Sequence, residues 1–290
     1  MQKSEMLVDL LLTIYQNRRK THLTQWASLS FDGLTRQLSM VEIRHLQNAP
    51  IAEALIDFRV KNSNVRSLEK SLDTLKERIG VRYPRVQATR GFQAEVKFRS
   101  GGAAEHSTED TGFQGYFFVS EDGLKIAQFR YNGFTFNRLK PYSSWEEILP
   151  EALDLWKLYI EVAKPEYIVR VSLRYINHIK LPLPIDDMSR YLTGLPDVPE
   201  NTLYLLKSFL TRLLIIEPRL NLEAAVTQAL EPDIESNSVV VILDIDTFKQ
   251  KEFSPQDSEI LTTLDALRKM KNIIFFGSIT EETLRLFNGS

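Results

Sequence analysis

The feature that most constrains this chain is a repeat running through it at nearly constant spacing. Setting Pro50 on Pro165, an offset of 115 residues, brings Ile56 onto Val171, Phe58 onto Leu173, Arg59 onto Arg174 and Asn62 onto Asn177. The same offset sets Trp145 on Ile260, Leu149 on Leu264, Ala152 on Leu267, Leu155 on Met270, Tyr159 on Ile274 and Ile160 on Phe275. Those six pairs are apolar on both sides. At an offset of 114, Phe129 meets Leu243, Tyr131 meets Ile245 and Phe134 meets Phe248. Amphipathic segments align easily, so any single match carries little. Three matches in the same order at nearly one offset predict two similar halves, and an unrecognised repeat would miscall the fold.

Each half reads strand, helix, strands, helix. IAEALIDFRV alternates, with Ala52, Ala54, Ile56, Phe58 and Val60 facing one way and Glu53, Asp57 and Arg59 the other, which predicts a half-buried strand. Val65, Leu68, Leu72, Leu75 and Ile79 follow at helical spacing, with Asn64 placed to cap the start and Gly80 the end. FQAEVKF (92–98) reads as a strand, and the small, polar stretch 100–112 reads as a mobile loop. GYFFVS, KIAQFRY and FTFNRL are separated by Glu-Asp-Gly and by Asn132-Gly133, strong hairpin signals. Ser144 and Glu147 form a capping box for a helix in which Pro150 predicts a kink or restart. In the second half, a long strand at 167–182 is followed by short helical pieces near 186–193 and 201–210. Strands near 212–219, 222–230 and 238–248 come next, then helices over 256–276 and after Thr280. Local hairpins argue for antiparallel pairing, so the predicted class is α+β: a curved, mainly antiparallel sheet with helices on one face and a pseudo-twofold axis. The expected organisation is a peripheral extension at 1–39, a first half at 40–163 and a second at 164–290. The two halves should form one compact unit.

Composition removes several function classes. There is no cysteine among the 290 residues, which excludes disulfides, thiol nucleophiles and thiolate metal sites. With 36 Lys+Arg against 38 Asp+Glu, the net charge of −2 gives no support to sequence-independent nucleic-acid binding. The apolar run MLVDLLLTIY is broken by Asp9 and is too short to span a bilayer, so the expectation is a cytoplasmic chain with no membrane association.

NAPIAEALIDFRV, FRYNGFTFNRLKPYSSWEEILPEALDLWKLY, VRVSLRYINHI and LRKMKNIIFFGSITEETLRLF together resemble an uncharacterised, sporadically distributed bacterial protein family, over about residues 41–288. The resemblance implies no established activity and brings no catalytic residues. A patchy distribution would fit defence-associated or mobile genes.

The residues that invite chemistry each have a plainer reading. Asp244 and Asp246 in VVVILDIDTF resemble a metal-holding Asp-x-Asp, but no later acidic pair and no parallel βαβ pattern completes a magnesium site. Their alternation assigns them to the solvated face of a strand. His22, His45, His106 and His178 lack zinc-site spacing, and no Gly-x-Ser-x-Gly, phosphate-loop or dinucleotide motif occurs. No cofactor is expected. The leading expectation is a binding module, not an enzyme, that holds a protein or small ligand in the groove between the halves or on the sheet face. The candidate ligand residues are Glu53, Asp57, Arg170 and Arg174. The competing expectation is a metal- or phosphate-handling enzyme that uses Asp244 and Asp246 with Arg170 and Arg174. If the two equivalent strands meet near the axis, Glu53 or Asp57 should come within about 4 Å of Arg170 or Arg174, because a partly buried charge must find a partner.

Overall fold

A computed structural model describes the backbone at residues 46–62, 65–97, 105–196, 207–233 and 238–288. The extension assigned to 1–39 lies outside these residues, and residues from Leu46 onward form one compact unit. The fold is α+β. Among the described residues, nine strands make a single antiparallel sheet in the order β2-β3-β4-β5-β1-β6-β9-β8-β7. They are β1 (Ile51–Lys61), β2 (Arg85–Lys97), β3 (Glu105–Val119), β4 (Lys125–Arg130) and β5 (Gly133–Leu139), then β6 (Tyr167–Pro182), β7 (Leu210–Glu217), β8 (Leu222–Asp233) and β9 (Ser238–Phe253). The helices are α1 (Val65–Asp73), α2 (Leu75–Ile79), α3 (Trp145–Ala163), α4 (Glu259–Ser278) and α5 (Glu281–Asn288). No helix among the described residues is long and apolar enough to cross a membrane.

β1 and β6 lie side by side at the middle of the sheet, antiparallel, with Ile56 opposite Leu173, Asp57 opposite Ser172 and Phe58 opposite Val171. The first and second segments therefore meet through backbone hydrogen bonds between these two strands. Period-two alternation then sorts every side chain on these strands onto one of two faces. Ile56, Phe58, Phe134, Phe136, Leu173 and Tyr175 face the helices and are buried. Trp156 of α3 stacks on Phe58 at 4.4 Å between ring centroids and on Tyr159 at 5.4 Å. Leu264 and Leu267 of α4 complete the same core.

Local signals act largely as the residues predict. Ser144 Oγ accepts from the Glu147 amide at 3.2 Å and starts α3. Gly133 has φ +154°, and a Cβ there would come within 2.1 Å of the Phe58 carbonyl oxygen, so the Asn-Gly turn and the close approach of β5 to β1 need the same residue. Four local expectations are met only in part or fall partly outside the described residues. Pro150 does not restart α3, which runs unbroken from Trp145 to Ala163, and near the helix start it leaves the Glu146 carbonyl without its usual donor. Gly80 follows the last residue of α2, as expected, but stays right-handed at φ −57°, and the amides of Arg82 and Tyr83 close the turn onto the Ile79 carbonyl. The loop expected over 100–112 is β3 from Glu105 onward, paired with β2. Polar residues there are tolerated because this hairpin lies at the sheet's margin. The helix expected near 201–210 lies partly outside the described residues, and Leu210 already belongs to β7.

The offset of 114 sets the turn around Tyr131 against Ile245, which lies in mid-strand, so that match equates a hairpin with a continuous strand. Hairpins and strands share the same alternation, and the sequence pattern could not separate them.

The aromatic stack makes a direct stability prediction. Trp156 Nε1 has no hydrogen-bond partner among the described residues, so its contribution is packing alone. Trp156→Ala should cost about 3–5 kcal/mol and Trp156→Phe about 1–2 kcal/mol in urea denaturation. A cost for the phenylalanine variant near that of alanine would reveal an indole hydrogen bond.

Candidate functional site

The face of the central strands turned away from the helix core carries a continuous polar network. Alternation puts Glu53, Asp57 and Arg59 of β1 on this face, beside Thr135 and Asn137 of β5. Arg170, Ser172 and Arg174 of β6 lie on the other flank, followed by Asp244, Asp246 and Phe248 of β9. Gln128 and Arg130 reach in from β4, one strand beyond β5.

Asp57 is the hub, with only 8% of its surface exposed. Its Oδ1 accepts from Arg130 Nη2 at 3.0 Å and from Thr135 Oγ1 at 2.6 Å. Its Oδ2 accepts from Arg59 Nε at 3.0 Å and lies 3.7 Å from Arg170 Nη1. The ion pair expected across the central strands is therefore present, between Asp57 and Arg170. Arg170 also donates to Ser172 Oγ at 2.7 Å and to Asp246 Oδ2 at 2.7 Å, with its guanidinium over the Phe248 ring at 4.3 Å. Arg174 grips Asp244 as a fork, Nε to Oδ1 at 2.8 Å and Nη2 to Oδ2 at 2.6 Å. Glu53 makes no ion pair to either arginine. It accepts from Asn137, which bonds Gln128, which accepts from Arg130.

Four carboxylates and four guanidiniums thus share this face and cancel in charge. Burial pushes the Asp246 carboxyl above its ordinary range despite Arg170 alongside. Burial likewise pulls the Arg130 guanidinium down, with Arg59 nearby adding to the effect, and the fork to Asp244 holds that of Arg174 up. Asp246 Oδ1 and Arg130 Nε are buried and meet no hydrogen-bond partner among the described residues. Such atoms are uncommon in well-packed proteins, and each is a place where a bound group would gain a full hydrogen bond.

Asp244 and Asp246 lie in mid-strand on β9, half-buried and paired to arginines, where alternation alone assigned them to solvent. Among the described residues, no three His, Asp or Glu side chains are grouped to hold a metal. Sequence reasoning missed Arg130, Thr135 and Asn137. Their signal was present in the alternation of KIAQFRY and FTFNRL, but it becomes legible only once β5 is known to pair with β1. His178 is exposed at the far end of β6.

Two further features lie elsewhere. An open cleft of about 500 Å³ is lined by Arg82, Tyr83, Ser120, Asp122, Lys125 and Glu151, among others. Within it, Glu151 is already bonded by Tyr83 at 2.8 Å and Lys125 at 2.6 Å. On the helix side, Lys271 of α4 places its Nζ 4.1 Å from the Tyr175 ring centroid. Burial, aided by Arg268, pulls the Lys271 ammonium down to about 7.

No family model matches the chain, and no curated protein matches it.

Both clusters make stability predictions. Asp57→Ala leaves three arginines facing one another and should cost about 3–5 kcal/mol, whereas replacing the pair in Asp57→Leu/Arg170→Met should cost less than the sum of the single changes. Urea denaturation of the four proteins in a double-mutant cycle measures the difference. For Lys271, the folded-state value of about 7 lies below the ordinary lysine value of 10.5, so the unfolded chain binds more protons between those limits. Stability should rise with pH across that window. Lys271→Met should flatten the slope and stabilise the protein at pH 6 by about 3–5 kcal/mol.

Proposed function

We propose that this protein is a non-enzymatic binding module, built by duplication, that holds a polar partner or small ligand on the sheet face carrying Glu53, Asp57, Arg170 and Arg174. The duplication reading is supported by the central register. The 115-residue offset carries Asp57 onto Ser172, and these two residues are paired across β1 and β6. A twofold axis through that pair relates the flanking pairs Ile56–Leu173 and Phe58–Val171 to each other. α3 and α4 correspond at the same offset.

The observation that carries the binding reading is the pair of buried, unpartnered atoms, Asp246 Oδ1 and Arg130 Nε, within an otherwise satisfied network. One is an acceptor and the other a donor. A partner offering both a hydrogen-bond donor and an acceptor would complete the network, and a simple anion would not. The enzymatic alternative draws on the same four residues Asp244, Asp246, Arg170 and Arg174, which do lie together. Against it, each arginine is engaged by an aspartate, so a phosphate or a metal would first have to break an ion pair that is partly shielded from water.

The test is affinity capture from native extract with mass spectrometry of the proteins and small molecules recovered. Arg174→Gln serves as the site variant and Val81→Lys, at a residue 97% exposed, as the control. A species held by the wild type and the control, but reduced at least tenfold by Arg174→Gln at unchanged melting temperature, is the expected result. Recovery that ignores Arg174→Gln would remove the face as the binding site.

A further inference from the structure

The nine-stranded sheet ends in two very different edges. At one end, β2 is blunted against further pairing. Its ladder with β3 slips twice, between Thr89 and Arg90 and between Gly91 and Phe92, and Arg90 is tied to Asp110 at 2.7 Å. Bulges, glycine and charge are the usual protections of a free edge. At the other end, β7 has none of them. It pairs with β8 over eight residues without a register shift, contains no Gly or Pro, and has Arg212 as its one internal charge. Its outer edge has no strand partner among the described residues.

β7 is also apolar on both faces. Leu210, at 74% exposure, and Leu214, at 70%, share one face with Ile216, while Leu213 and Ile215 share the other. Next to Leu214 and Ile215 on β8 are Ala225 and Ala224, too short to cover their neighbours. An unprotected edge with apolar side chains above and below is suited to one more strand that is apolar on both faces. β2 does not meet that description, so head-to-tail stacking of copies into an open fibre is not available. β7 itself does.

We propose that two copies of this chain associate through β7, antiparallel, about a twofold axis normal to the sheet at Leu214, to give one continuous eighteen-stranded sheet. A twofold normal to the sheet keeps each face on its own side, so Leu214 meets its own copy and Leu213 meets Ile215 of the second copy. Arg212 then lies opposite Ile216, four residues along the strand from its own twin, which avoids a like-charge contact. Thr211 lies opposite Glu217, hydroxyl beside carboxylate. Pairing the two edges covers the lateral part of these side chains and leaves their upper and lower surfaces open, so the backbone ladder carries much of the contact and the dimer belongs with small, concentration-dependent interfaces.

The absence of cysteine from the whole chain makes the register directly readable, since an introduced cysteine is the sole thiol. In the full-length protein, Leu214→Cys should cross-link to a covalent dimer on oxidation or with a short bismaleimide, because directly opposed Cβ atoms lie about 5 Å apart. Leu210→Cys should not, its twin being roughly 27 Å away along the strands. Sedimentation equilibrium should show a concentration-dependent dimer. Leu214→Lys, which opposes two ammonium groups at a site exposed in the single chain, should weaken it at least a hundredfold with the melting temperature of the monomer unchanged. Val81→Lys should leave the dimer intact. A chain that stays monomeric to about 100 μM, a dimer indifferent to Leu214→Lys, or equal cross-linking at both cysteines would overturn the proposal. So would slow exchange, in a monomer, of the β7 amides that point away from β8, which would assign the edge to another part of the same chain.

Discussion

A carboxylate at the middle of a wide sheet is an expensive object, and the arrangement around Asp57 shows how its cost is met. It sits in the pair that joins the two central strands, where water is nearly excluded. Arg59, Arg130 and Arg170 arrive from three strands to surround it. The attraction offsets desolvation only while every partner is in place, which makes the network a constraint on register as much as a source of stability. A one-residue slip of β6 against β1 would move Arg170 to the helix side and put a core residue beside Asp57. The apolar face repeats the same demand in different chemistry, since the slip would turn Val171 and Leu173 out of contact with the helices. Two independent patterns therefore fix one alignment of the strands.

That alignment also explains how the polar face is shielded although no helix among the described residues packs on it. Long guanidinium side chains lie along the strands and cover the carboxylates beneath them, their stems supplying part of the shielding. Arg170 flattened on Phe248 is the clearest case. The helix side takes the opposite route, with Phe58, Trp156 and Tyr159 stacked into a close-packed layer. Lys271 is the exception there, an ammonium held against an aromatic ring with no acid paired to it among the described residues, so its positive charge is what the site tolerates least.

Sequence patterns made the sheet and its class legible because alternation and turn chemistry are local. β6 begins and ends where the pattern of YIVRVSLRYINHIKLP does, and the Asn132-Gly133 turn forms where the dipeptide stands. What stayed hidden depends on which strand neighbours which. Glu53 shares a face and a sign with Asp57, yet it bonds Asn137 and not an arginine, because β5 lies on its open side and the arginines of β6 point toward β9. Asp244 and Asp246 read as solvated for the same reason. Alternation tells the face a side chain takes, and the adjacent strand decides whether that face is wet. The Glu105–Gly112 stretch shows a further limit, since polar residues forced into a hairpin by their partner strand leave no apolar period to read.

The charge balance on the central face bears on what can bind there. Four carboxylates against four guanidiniums leave no net field to draw in an ion from a distance, so recognition has to be local and directional. The gain lies at Asp246 Oδ1 and Arg130 Nε, where a hydrogen bond would be added with none broken. These atoms lie on strands β9 and β4, with β5, β1 and β6 between them. Both side chains lean inward, Arg130 to Asp57 at 3.0 Å and Asp246 to Arg170 at 2.7 Å, so the two atoms lie nearer to each other than the strands that carry them.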